Sequence, residues 1–197
     1  SDVCSSDLNS LILNGLTKES SYYQSLKDNL IKLLAGENNH IDWIDLIEKD
    51  IEYCNGCGYC NMKEPGICAK NDDMKEIFPL MAKAEVLIFI SPISFGCYNS
   101  QLKKAVDRYS VMGLPTYTVY KGELHHPARY NNPCYFMSIG ILDEPNKDME
   151  NTFKLVSNRN ATCFFADKHE TLIFNNFIEE NEIKNKITNG IKTLEVR

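Results

Sequence analysis

Four cysteines, Cys54, Cys57, Cys60 and Cys68, stand in the spacing C-x2-C-x2-C-x7-C. Several thiolates can gather round one centre only where the backbone turns tightly, which Gly56, Gly58 and Gly66 permit. Three thiols at steps of three make the compact spacing of a cubane iron–sulfur site. Zinc, which more usually takes two C-x2-C pairs on a longer spacer, is the second reading, and free or redox-active thiols are the third. Cys97, Cys134 and Cys163 fit no ligand spacing. Cys134 and Cys163 fall on expected strands and read as small buried hydrophobes, and Cys97 reads as packing, with a functional role as the alternative.

Two polar loops offer a different chemistry. Gly15-Leu16-Thr17-Lys18-Glu19-Ser20-Ser21 follows an apolar run and precedes a helical pattern, so its hydroxyls and free amides stand where a helix N-terminus favours a phosphate. It lacks the glycines of both the dinucleotide fingerprint and the Walker loop, which leaves a hydroxyl-rich monophosphate cradle or a plain Ser20 helix cap. Ser91-Pro92-Ile93-Ser94-Phe95-Gly96 follows the most apolar run of the chain. Its amides, small hydroxyl and aromatic face can lie along a flat isoalloxazine ring, and an ordinary Pro/Gly turn is the alternative. A third polar group, His125, His126 and Arg129, sits in a long connection where binding residues often occur. Adjacent histidines point apart, so a shared metal is not expected, and contact of Arg129 or a histidine with an electron donor or acceptor is the functional reading.

The elements that must position these residues follow from periodicity. Strands are expected at Leu11 to Asn14, His40 to Asp45, Glu85 to Ser91 (ending at Pro92), Cys134 to Gly140 and Ala161 to Ala166. Helices are expected through Leu26, Leu30, Leu33 and Leu34, from Asp73 with Glu76 completing a capping box, over Gln101 to Tyr109, over Asp143 to Val156 and over Ile178 to Leu194. Val111 to Asn132 reads as irregular. Five strands alternating with helices demand right-handed crossovers and a parallel sheet covered on both faces, an α/β sandwich. Ligands of such sheets bind outside the carboxyl ends of the strands at the topological switch point, which is where the loops after strands one, three and four lie.

The bulk properties set limits. A chain of 197 residues suits a single domain. Ser1 to Leu8 carry neither the basic nor the apolar region of a secretory signal and read as an extraneous or disordered leader, with residues 9 to 197 as the domain and a Cys-rich loop at 53 to 71. A net charge of −6 without a basic stripe argues against nucleic-acid binding, and no apolar run approaches the ~20 residues of a membrane span. Eight cysteines without an export signal point to reduced thiols or metal ligation and a cytoplasmic location.

Taken together, Gly15 with its polar loop, the cysteine cluster, Cys68 followed by Asp72-Asp73-Met74, Ser91-Pro92-Ile93, and Leu102-Lys103 leading to Asp107-Arg108 resemble the flavodoxin-like NADPH-dependent FMN reductase and iron–sulfur flavoprotein family. The resemblance runs from Leu11 onward and is densest between Tyr53 and Arg108. It implies a flavodoxin-like three-layer sandwich with a five-stranded parallel sheet in the order 2-1-3-4-5. It also implies an FMN site in which Gly15, Thr17, Ser20 and Ser21 seat the phosphate, while Pro92, Ile93, Ser94, Phe95 and Gly96 with Ser138, Ile139 and Gly140 border the ring. Leu16 departs from the small hydroxyl residue usual after the glycine. The implied metal site is a [4Fe–4S] cluster on Cys54, Cys57, Cys60 and Cys68, close to the flavin.

The implied activity is transfer of hydride from NAD(P)H through FMN to a quinone, nitro compound, flavin or metal centre, by a homodimer or homotetramer with no dedicated catalytic acid or base. Two other functions fit the same residues: an electron carrier between proteins without a small-molecule substrate, and a zinc-stabilised binding module that has lost the flavin.

Overall fold

The computed structural model describes residues 8–36, 39–130, 133, 135–175 and 179–194. Among the described residues the main sheet has six strands, five of them parallel: β1 (Asn9–Asn14), β2 (His40–Asp45), β3 (Val86–Ser94), then, after three short strands named below, β7 (Tyr135–Leu142) and β8 (Lys168–Asn175). Their order is β2-β1-β3-β7-β8, the 2-1-3-4-5 arrangement expected from the sequence. Side chains alternate across the pleat, as strand geometry requires. Leu11 and Leu13 of β1 with Leu87 and Phe89 of β3 face one core, and Ile12 with Val86, Ile88 and Ile90 faces the other.

Helices cover both faces. α1 (Tyr23–Leu34) and α6 (Glu180–Leu194) pack on the Ile12 side through Leu26, Leu30, Ile187 and Leu194. A short turn, α2 (Tyr59–Met62), lies in the cysteine loop. α3 (Met74–Lys83), α4 (Ser100–Asp107) and α5 (Lys147–Cys163) cover the Leu11 side through Ile77, Leu102 and Phe153.

Several elements differ from the sequence expectation, each for a local reason. β3 does not stop at Pro92: Pro92 still pairs in register with Ile141, and the strand runs on to Ser94. There it folds back on β4 (Cys97–Tyr98) through Phe95 and Gly96, whose φ angles of 50° and 76° make the two-residue turn that matches strand twist. The supposedly irregular stretch after residue 111 holds a second hairpin, β5 (Thr118–Tyr120) and β6 (Glu123–His125), turned at Lys121 and Gly122 with φ 50° and 81°.

Ala161 to Ala166 is not a strand. The buried residues Phe153, Ser157 and Ala161, with Phe164 next, recur at helical spacing, so α5 continues to Cys163. It closes with the Phe165 amide on the Thr162 carbonyl at 3.2 Å and the Ala166 amide on Ala161 at 3.0 Å, Phe165 standing at φ 56° where glycine is usual. The true fifth strand is β8, and Cys163 is exposed at the helix end rather than buried in a strand. α5 starts at Lys147, not Asp143, because the Asn146 side chain accepts from the amides of Asp148 and Met149, both at 3.1 Å.

At α3 the capping box does not form. Asp73 turns its carboxylate to the Asp50 amide at 2.8 Å, Glu76 pairs with Lys49, and Asp72 accepts from the Met74 amide at 3.2 Å.

Residues 1–7 of the segment read as a leader lie outside the described residues, as do Cys134, residues 131–132 and Ile178. Leu8, the last residue of that segment, is buried, and its carbonyl accepts from the His40 amide at 3.0 Å.

Candidate functional site

The switch point of the sheet lies between β1 and β3, whose neighbours run off in opposite directions. Asn99, the cap of α4, ties the two strand ends together. Its Nδ2 donates to the Gly15 carbonyl at 2.8 Å, its backbone amide donates to Ser91 Oγ at 2.8 Å, and its Oδ1 accepts from the Leu102 amide at 3.2 Å. A Cβ on Gly15 would stand 2.7 Å from Asn99 Oδ1 and would displace that side chain from its place between the two strands. Its own amide donates to the Ile90 carbonyl at 2.8 Å, so the loops starting at residues 15 and 91 leave the sheet side by side.

The β1 loop is braced from below. Buried Asn14 donates to Asp45 Oδ1 at 2.8 Å and accepts from the Leu16 amide at 3.1 Å. Asp45 also accepts from Tyr23 at 2.7 Å and Trp43 at 2.8 Å. Burial alone would raise the Asp45 carboxyl, but the hydrogen bonds from Asn14, Tyr23 and Trp43, with Lys27 nearby, hold it below the usual carboxylate range. Leu16, the departure from the family pattern, lies in the loop but turns its side chain into the core.

Thr17, Lys18, Glu19 and Ser21 are exposed and Ser20 is half-buried above this base. Ser20 does not cap α1, which begins at Tyr23 without a side-chain cap. On the β3 side Pro92, Ser94 and Phe95 are exposed, Phe95 at 92%, and Ile93 is partly buried. Gly96 is buried at φ 76°, where a Cβ would meet the Thr152 side chain at 2.6 Å.

Ser138, Ile139 and Gly140 are placed differently. β7 runs two residues past Gly140, so all three lie within the strand and are buried. Ser138 Oγ is 3.0 Å from Tyr98 OH, which accepts from Asn160 at 2.9 Å. Burial pushes the Tyr98 hydroxyl up to about 12, against the pull of those two partners. Gly140 is hemmed in by Ile93, whose Cδ1 would be 2.6 Å from a Cβ.

The cysteine loop stands at the other end of α4. All four cysteines, with Arg108, Asp107 and Ser110, border one cavity of about 490 Å³. Arg108, 1% exposed, donates from Nη2 to Cys68 Sγ at 3.2 Å and from Nη1 to Asp72 and to the Glu52 carbonyl. Asp72 accepts from the Glu52 amide at 2.8 Å, and the Arg108 bond with the Glu52 and Met74 amides outweighs burial to hold its carboxyl below the usual range. Both ends of the loop are thereby pinned to one buried ion pair. Four thiols around one cavity suit a four-thiolate cluster in donor type and number. Their sulfurs are not drawn to a point: among the described residues no three His, Cys, Asp or Glu side chains are grouped to hold a metal ion. α4 separates its two caps, Asn99 beside Gly15 and Arg108 beside Cys68, by about 14 Å along the axis.

Of the polar group of the long connection, the two histidines are in neither place, while Arg129 lies against the cysteine loop at Gly66. His126 Nδ1 is 2.8 Å from the Leu114 carbonyl, Arg129 donates to the Gly113 carbonyl at 3.0 Å, and His125 is largely buried 3.5 Å from Glu123. The two histidines line a cavity of about 350 Å³ with Tyr109, Phe164 and Phe165. Asn99 and Arg108 are the site residues that sequence reading missed. Asn99 carried a signal, a cap-type residue three before an apolar helix position. Arg108 carried none beyond its place in the family motif.

The parallel order, the switch-point loops and the covered faces define a flavodoxin-like α/β protein. The model of the NADPH-dependent FMN reductase family matches residues 8–142, and the chain belongs to that family. Iron–sulfur flavoproteins of Methanocaldococcus jannaschii and Archaeoglobus fulgidus are 37% and 32% identical over 78 and 81 residues. Those stretches cover 40% and 41% of this chain and 39% and 36% of theirs, so the match spans about two fifths of the curated relatives. An NAD(P)H:quinone oxidoreductase from Methanothermobacter marburgensis shares the fold with a TM-score of 0.66, at 14% identity over 94% of this chain and 98% of its own. Among the described residues no helix is long and apolar enough to cross a membrane.

Proposed function

We propose that the chain binds FMN across the β1 and β3 loops, takes electrons from NAD(P)H, and carries a [4Fe–4S] cluster on Cys54, Cys57, Cys60 and Cys68. The observation that supports it most is the junction at Asn99, which joins two cofactor-sized loops at the switch point of a sheet of this family. Bound flavin supplies both two-electron and one-electron chemistry. The chain's residues hold and surround it. Thr17, Ser20 and Ser21 with the loop amides would take the phosphate, and Pro92 to Gly96 would lie along the ring. Ser138 and Ile139, being wholly buried, would act from beneath the site. The cysteine cavity and the names of the relatives support the cluster. A cytoplasmic homodimer or homotetramer with a small-molecule or protein electron acceptor completes the reading.

The electron carrier is the second reading, favoured by the exposure of Cys54 and Cys57, which leaves the cluster ligands open to a protein partner. Protein isolated without oxygen decides between them. Flavin absorbance, about four irons and four sulfides per chain, and sustained NADPH oxidation with a quinone or flavin acceptor are expected. Negligible NADPH turnover with ready reduction by a ferredoxin would select the carrier, and colourless zinc protein would remove both.

A further inference from the structure

We propose that Arg108 sets the reduction potential of the cluster by donating an N–H···S hydrogen bond to Cys68; the inference rests on the cluster reading above. Arg108 ends α4 with its side chain buried, and its two terminal nitrogens are divided between tasks. Nη1 serves Asp72 and the Glu52 carbonyl, which suffices to clamp the loop. Nη2 is aimed at Cys68 Sγ, at 3.2 Å. The Phe78 ring lies 5.5 Å from the guanidinium carbon and shields it on one side.

A neutral thiol is a weak acceptor for a buried guanidinium, whereas a sulfur carrying the negative charge of a cluster is a good one. Asp72 offsets the net charge of Arg108 but not the directed N–H bond. Among the described residues, Cys68 alone of the four has a charged donor; Cys60 faces only Ser110 Oγ at 3.7 Å, and Cys54 and Cys57 are exposed. Reduction adds one electron from the donor to the cluster and breaks no bond. The added negative charge strengthens the Arg108 bond, so the reduced state is stabilised more than the oxidised one and the potential is raised.

The test is a redox titration of anaerobic protein, unsubstituted and Arg108→Lys, with iron, sulfide and flavin counted in each. The lysine keeps the charge and cannot fork between Asp72 and Cys68 in the same way. The substituted cluster is expected to be harder to reduce by about tenfold in the equilibrium constant, about 59 mV for a one-electron couple. A fully loaded Arg108→Lys protein with an unmoved potential overturns the proposal and leaves the cluster reading intact. Zinc or no iron in the unsubstituted protein overturns both.

If Arg108→Lys loads no cluster, the question passes to protein carrying guanidino-15N arginine in an Arg129→Lys background, because Arg129 also lies against the loop at Gly66. Pulsed EPR of the reduced protein is expected to show coupling to the labelled nitrogen, and its absence overturns the proposal.

Discussion

From Gly15 to Ser21 the chain rises off backbone bonds and two side-chain amides, buried Asn14 and half-buried Asn99, and its outer residues are exposed. From Glu52 to Cys68 it hangs on a buried ion pair, Asp72 with Arg108. The first region sits on the end of a sheet, which orients it at little further cost. The second has one short helical turn and must be held by side chains. A loop without a ladder beneath it depends on one or two strong contacts, whereas a loop on a strand end spreads its support.

The largest effect should come from cutting the single contact. Arg108→Ala leaves the Asp72 carboxylate, 2% exposed, without its cation. Breaking one partner of a buried pair costs about 3–5 kcal/mol, read as a drop in the urea midpoint of the unloaded protein. A loss below about 1 kcal/mol, the range of exposed pairs, would show that the loop is held otherwise.

Asn99→Ala tests the distributed side. It removes the bond to Gly15 and the cap of α4 together, for about 1–2 kcal/mol of stability. FMN affinity should also fall on the order of tenfold, about 1.4 kcal/mol, because the two loops lose their common post. Equal flavin binding, measured by fluorescence quenching, would show that the loops do not act as one site.

How much of this contrast can be read without coordinates differs between its halves. The parallel sheet follows from strands alternating with helices, its order from the family resemblance, and the cysteines declare themselves by spacing. The hairpin turns at Phe95-Gly96 and Lys121-Gly122 were missed because the first residue of each is neither Asn, Asp nor Gly, although it adopts positive φ. The end of α5 was read as a strand for a related reason: Phe165 stands where a glycine would have announced the stop, and the polar Ser157 interrupts the apolar stripe that runs to Phe164. Asp73 reads as a helix start and Asp72 as part of a family motif, and their work across 20 or more residues at Asp50 and Glu52 is invisible to any local pattern. The resemblance sets Ser138, Ile139 and Gly140 at the ring, whereas β7 runs two residues past Gly140 and buries all three.

Acid should probe the base of the β1 loop more mildly. The folded Asp45 carboxyl is depressed, so its contribution is fully present above the ordinary carboxylate range and is lost as pH falls through the lower folded value. Asp45→Asn should therefore flatten the acid limb of the stability profile, seen as urea midpoints that change less between pH 7 and pH 3. An unaltered limb would mean that Asn14, Tyr23 and Trp43 do not act through the charge.

The smallest stability change is expected where the comparison is sharpest, at the exposed rim. Thr17→Ala and Ser21→Ala touch no core and should stay within about 0.5 kcal/mol of the unsubstituted protein. Apart from the hydrogen bond between the Thr17 hydroxyl and the exposed Glu19 carboxylate, these hydroxyls act when an anion sits on the loop, so flavin affinity should fall while the thermal midpoint of the flavin-free protein changes little. Riboflavin, which lacks the phosphate, supplies the control: its binding should be insensitive to both substitutions. Were FMN and riboflavin weakened alike, the hydroxyls would be shaping the loop rather than seating a phosphate. The β1 loop would then depend on individual side chains just as the cysteine loop does.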